Sequence, residues 1–167
     1  MKRKLSKENG NIFLISMVFI AISLCIFIFV IAIFISNVNS ILYGVKTDMY
    51  IINKSAVMSV NKNQANVDSF KYDEKELKKF FIESLKKNYD LNDELENKNG
   101  LITKLEIEDY EIYKKGKIDK FTNIKCDNRV IHTVVKVRVR PIILKSVLED
   151  IFVFTIHEDV NLNMAKF

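Results

Sequence analysis

The residues that most constrain this chain are Ile12 to Ile35, an apolar run interrupted only by Ser16 and Ser23. No charged residue occurs between Asn9 and Val45. At about 1.5 Å per residue the run spans roughly 36 Å as a helix, against a hydrocarbon core of about 30 Å. Its apolar side chains point in every direction around the helix axis, which a small soluble core cannot accommodate. The run therefore predicts one transmembrane helix over residues 12–35.

Two other uses of such a segment fit less well. A cleaved secretory signal has an apolar region of about 7–15 residues and a small-residue cleavage site; this run continues well past that length. A lipoprotein signal would use Cys25, but Leu24 stands where a small residue is needed, and more apolar residues follow. Lys2, Arg3, Lys4 and Lys7 outweigh Glu8 on one flank, whereas Lys46 and Asp48 cancel on the other. Positive charge stays inside, so the basic leader, 1–11, is expected in the cytoplasm and the remainder outside the cell membrane. That flank accounts for much of the formal charge of +5, and the other basic residues are nearly matched by acidic ones. No nucleic-acid role follows. Cys25 falls in the span and Cys126 beyond it, so no internal disulfide is expected.

Beyond the membrane the helix is expected to continue over 36–61. Val38, Leu42, Val45, Met49, Ile52, Ala56 and Val60 recur at steps of three and four, forming one stripe that packs on a partner surface. That partner is either the chain's own outer domain, the preferred reading, or a second helix in a coiled coil. Asn37, Lys46, Asp48, Asn53 and Lys54 are placed off the stripe.

The outer domain, 62–167, reads as α+β. Asn61 to Ser69 is polar and aperiodic, a linker. Asp73 to Leu91 predicts a second helix, with acidic residues where they suit a helix N-terminus and a buried side of Leu77, Phe80, Phe81, Ile82 and Leu85. From Leu101 the period becomes two. Leu105 and Ile107 alternate with charges, Lys115-Gly116 marks a hairpin tip, and Ile118 to Ile124 suggests a weaker strand. Ile131, Thr133, Val135, Val137 and Val139 face one way and His132, Lys136, Arg138 and Arg140 the other, so this strand has one buried and one wet side. Pro141 stops it, and Ile151 to Leu162 forms a last strand with Phe152, Phe154, Ile156, Val160 and Leu162 on one face. The expected sheet is mainly antiparallel, with about four strands.

Catalytic motifs are missing. Four glycines, dispersed at positions 10, 44, 100 and 116, cannot cradle a phosphate, and no Gly-x-Ser-x-Gly, His-Glu-x-x-His or Cys-x-x-Cys occurs. His132 and His157 lie on expected strands, and neighbouring strands could bring them together with Glu158 or Asp159 as a metal site. Two strand histidines are more often ordinary surface or rim residues, however, and a site needs three or four converging ligands. No catalytic residue, metal ligand, cofactor or small-molecule substrate is therefore assigned. Asn53-Lys54-Ser55 spells a glycosylation sequon, and the Lys136, Arg138, Arg140 row reads as a solvated strand face.

The order of parts resembles the pilin and pseudopilin plan: a basic leader, Glu8-Asn9-Gly10, an apolar helix that turns amphipathic, then a small α+β domain. Within that plan the chain most resembles the TadE-like proteins of Flp/Tad-type pilus systems. The resemblance is carried by the Gly10 junction and by Val135-Lys136-Val137-Arg138-Val139-Arg140-Pro141, followed by Leu148-Glu149-Asp150-Ile151 and a last strand. It implies a non-enzymatic minor component of a surface filament or its assembly complex, with Gly10 and Asn11 as the candidate processing junction. The implied partners are the lipid bilayer and other pilin-like or envelope membrane proteins. Ile15 stands where prepilins usually carry a glutamate, five residues after the glycine. A membrane-anchored accessory protein, whose outer domain binds an envelope or secretion-complex partner, is the alternative; an outer enzyme or metal-binding domain using His132 and His157 is the third reading.

Overall fold

The computed structural model describes residues 2–62, 73–140 and 152–162. Two helices, α1 (Lys2–Lys62) and α2 (Glu74–Tyr89), precede three strands, β1 (Ile102–Tyr113), β2 (Val130–Val139) and β3 (Phe152–Asn161). The chain divides into two compact units, 1–39 and 40–167. The first is helical. Its side chains from Ile12 to Phe29 stand exposed, Phe19 at 72% and Ile15 at 69%, and this helix is long and apolar enough to cross a membrane. An exposed surface of that kind is compatible with lipid as its solvent.

The second unit holds the core. Val45, Met49, Ile52, Ala56 and Val57 of α1 join Leu77, Phe81 and Leu85 of α2 and the inner face of the sheet in one buried cluster. Leu42 packs against its margin. From Leu42 to Ala56 the stripe therefore lies on the domain to which this part of α1 belongs, the preferred of the two partners. Asn53 departs from its expected place off the stripe: it is fully buried, donates to the Thr133 hydroxyl at 3.0 Å and accepts from the Tyr110 hydroxyl at 3.2 Å. Its amide thus belongs to the interior, and the sequon spelling has no exposed acceptor in the folded domain.

Asp73 caps α2 by accepting from the Lys75 N–H at 2.9 Å, satisfying one of the free amides of the first turn. Asp90 closes it in the left-handed region, with φ 51°. Leu77, Phe81 and Leu85 are fully buried, and Phe80 and Ile82 are half-buried, Phe80 against the core.

Among the described residues the sheet has three strands in the order β1-β2-β3, both pairs antiparallel. The weak fourth strand is absent there. Residues 114–129 form an irregular excursion in which Gly116 takes φ +88° and Ile118 bridges Lys125. Asp119 accepts amides from Phe121 and Thr122, and these turn bonds supplant a ladder. Pro141 and Leu148-Glu149-Asp150-Ile151 lie outside the described residues, as does most of the expected linker.

Register explains how the two faces of the sheet are built. Residues directly opposite one another in a sheet share a face. Ile131, Val135 and Val137 pair with Val160, Ile156 and Phe154, making the inner face. On β1 the pairing slips between Ile107 and Asp109, leaving Glu108 as an extra residue. One inserted residue reverses the alternation beyond it, so the inner positions change from Leu105 and Ile107 to Tyr110 and Ile112. The same bulge turns Asp109, Glu111 and Tyr113 to the outer face.

Candidate functional site, a histidine and aspartate cluster

The outer face of β2 was expected to be wet, and along Lys136 and Arg138 it is only half-buried. Arg138 pairs with Glu106 at 3.0 Å, Lys136 pairs with Glu108 at 2.5 Å, and Arg140 donates to the Lys98 carbonyl at 2.7 Å. The basic row is thus met by its own chain. At the other end of β2 the face is closed: His132 is 1% exposed, and Val134 is buried. The excursion covers this end, which corrects the reading of His132 as a surface or rim residue.

Strand pairing places Asp159 directly opposite His132, with His157 two residues away on the same face of β3. Asp119 comes over them from the excursion. His132 Nδ1 lies 2.9 Å from Asp159 Oδ1 and 3.2 Å from His157 Nε2, which is itself 3.1 Å from Asp159 Oδ1. Asp119 sends Oδ1 to within 3.5 Å of His132 Nδ1 and Oδ2 to within 3.4 Å of His157 Nε2. One ligand atom from each of Asp119, His132, His157 and Asp159 lies within 4.8 Å of all the others.

Each ring is held in place. Tyr113 stacks on His132, with centroids 4.4 Å apart and planes 9° from parallel, and Phe121 stacks on His157 at 4.8 Å. Asp109 Oδ2 stands 3.9 Å behind His132, at Nε2. At that distance the carboxylate faces the ring without a hydrogen bond to it.

Burial works against the Asp119 carboxylate, yet bonds from the Thr122 hydroxyl and the Phe121 amide, aided by His157 and His132, hold it below the usual carboxylate range. Burial also pushes the Cys126 thiol up, reinforced by Asp159 and Asp119, so Cys126 is a buried, quiet thiol. Both cysteines are free. Burial, then the carboxylates of Asp109, Glu111 and Asp119, raise the Tyr113 phenol to about 12, so it stays neutral at physiological pH.

Sequence reasoning paired His132 with His157 and named Asp159 as a possible companion. It missed Asp119, whose position depends on the excursion, and it did not find the bulge. The only signal for the bulge was the parity change in the apolar pattern of β1, from Leu105 and Ile107 to Tyr110 and Ile112. The stripe residues Val45, Met49, Ile52 and Ala56 are spent in the core, and the Gly10–Asn11 junction falls within α1. The chain matches no family model, no curated protein and no solved structure.

Proposed function

We propose that this chain is a non-enzymatic, single-pass membrane protein of the TadE-like minor pilin or pseudopilin kind, with its N-terminus in the cytoplasm and the 40–167 domain outside. Its work is to take part in assembling a surface pilus or secretion filament. The observation that supports this reading is the division of labour along α1. Residues 12–29 leave large apolar side chains exposed, whereas Val45, Met49, Ile52 and Ala56 are consumed by the chain's own sheet. A helix anchored at one end by its own domain and apolar at the other suits lateral packing with neighbouring helices in a bilayer. Ser16, Ala21, Ser23 and Ala32 are small enough to let helices approach. Tyr43 and Ile51, 74% and 52% exposed on the outer part of α1, extend the contact surface. On the domain, the exposed Ile118, Phe121 and Ile124 of the excursion offer a further apolar contact.

The membrane-anchored accessory protein is the second reading, and Ile15 favours it. Without a carboxylate at that position a neighbour's new N-terminal amine would have no partner in an apolar filament core. Chemical crosslinking in membranes, followed by mass analysis of the extracted protein, separates the two. Adducts with other small single-helix proteins, together with a mass lacking residues 1–10, are expected for the pilin reading. A solitary, full-mass chain would transfer the assignment to the accessory protein.

A further inference from the structure

We infer that Asp119, His132, His157 and Asp159 form a closed four-ligand site for a divalent transition metal, zinc by its chemistry. The first argument is that protons alone leave the cluster frustrated. Asp159 Oδ1, His132 Nδ1 and His157 Nε2 form a triangle with edges of 2.9, 3.1 and 3.2 Å. With the carboxylate ionised, no assignment of protons makes all three edges attractive. If both nitrogens carry hydrogen, they oppose each other; if one is bare, its lone pair faces the carboxylate. Asp119 adds a second carboxylate, 1% exposed, that faces both imidazoles.

A cation at the centre turns every one of these contacts to advantage. Zinc bonds of about 2.0–2.2 Å to nitrogen and oxygen place tetrahedral ligand atoms roughly 3.3–3.5 Å apart. Asp119 presents Oδ1 at 3.5 Å from His132 and Oδ2 at 3.4 Å from His157, the three edges of the triangle need to open by a few tenths of an ångström, and one ligand atom from each of the four residues already lies within 4.8 Å of the others. Two imidazoles select against calcium and magnesium, which take oxygen ligands. Four protein ligands fill a tetrahedron, so the site is structural, without an open position for a reacting water. Its effect is to tie the 114–129 excursion to β2 and β3 in a domain without a disulfide.

The test uses the full chain in detergent, stripped with a chelator and titrated with zinc chloride against a chromophoric competitor. One zinc per chain is expected, with a thermal midpoint raised by several degrees when free zinc is about a hundredfold above Kd. Cobalt(II) in its place should give the intense visible bands of a tetrahedral site. His132 is too buried to substitute cleanly, so the variants are Asp159→Asn and His157→Gln, checked by circular dichroism in the stripped state. Each should weaken zinc binding by at least about tenfold. Sub-stoichiometric zinc, the weak spectrum of octahedral cobalt, or equal affinity in both folded variants would overturn the inference.

Discussion

Asn53 of α1 donates its side-chain amide to the hydroxyl of Thr133, in the middle of the central strand, at 3.0 Å, with both residues fully buried. The Tyr110 hydroxyl completes the link by donating to Asn53 at 3.2 Å. A polar chain of this kind fixes where along the sheet the helix sits, because any sliding strands three buried groups. Asn53→Ala leaves two of them unpaired and should cost about 1–3 kcal/mol. Thr133→Val removes one bond with little change of shape and should cost about 1 kcal/mol. Thermal unfolding of the full chain in detergent, followed by circular dichroism, ranks the two. A smaller loss for Asn53→Ala than for Thr133→Val would contradict this assignment.

The bulge at Glu108 makes a sharper prediction. Deleting Glu108 removes the extra residue and lets Ile107 and Asp109 follow one another opposite Val135 and Val134 in regular alternation, so Tyr110 and Ile112 keep their inner positions and Asp109, Glu111 and Tyr113 their outer ones. The deletion is therefore expected to leave the domain folded, at a cost of about 1–2 kcal/mol or less. Glu108→Ala keeps the residue count and should change stability by about 1 kcal/mol or less, since it removes only a half-exposed ion pair with Lys136. Both variants should resist protease as the parent chain does, and loss of resistance in the deletion alone would contradict this register.

Two glycines should respond in opposite directions to alanine. Gly44 lies inside α1 with nothing within 4 Å of an added Cβ, so Gly44→Ala should stabilise the domain by about 0.5–1 kcal/mol. Gly116 sits at φ +88°, where an L side chain is strained, and Gly116→Ala should cost about 1 kcal/mol. Matched melting curves show whether the shifts differ in sign.

Alkaline pH should destabilise the domain through the half-buried phenol of Tyr89 and the buried phenol of Tyr110. Burial and the neighbouring Asp48 push the Tyr89 hydroxyl well above its ordinary value, and burial with Glu74 does the same for Tyr110. In both the folded form holds its proton more tightly than the unfolded form. Their contribution is complete below about pH 10, the value for an unfolded tyrosine, and falls as pH rises beyond it toward the folded values. Urea midpoints at pH 8 and pH 11 should show the decline. Tyr89→Phe should flatten it in part, because it removes a titrating group that donates to Asp48 at 2.6 Å.

Elements whose signals are local were legible in the sequence. The apolar run of α1 needs only composition, α2 announces itself with Asp73 and an acidic first turn, and the alternation of β2 and β3 sets their inner faces. Features that depend on the meeting of distant residues were not. Asn53 reads as a surface amide until β2 supplies Thr133 beside it. The strand expected over Ile118 to Ile124 has adequate propensity, but the bonds accepted by Asp119 bend it into a turn. His132 occupies a formally wet position, and only the bulge on β1 and the fold-back of the excursion bury it. The cluster thus depends on the strand register, the bulge and the excursion together, whereas the sequence offered two histidines and an aspartate nearby.

Membrane anchoring with the 40–167 domain outside is the central claim, and protease added to intact spheroplasts tests it most directly. The outer domain is expected to be digested from the outside, leaving a membrane-embedded fragment that carries Ile12 to Ile35. Protection of the domain until the membrane is opened, or release of the whole chain with the soluble fraction, would contradict it.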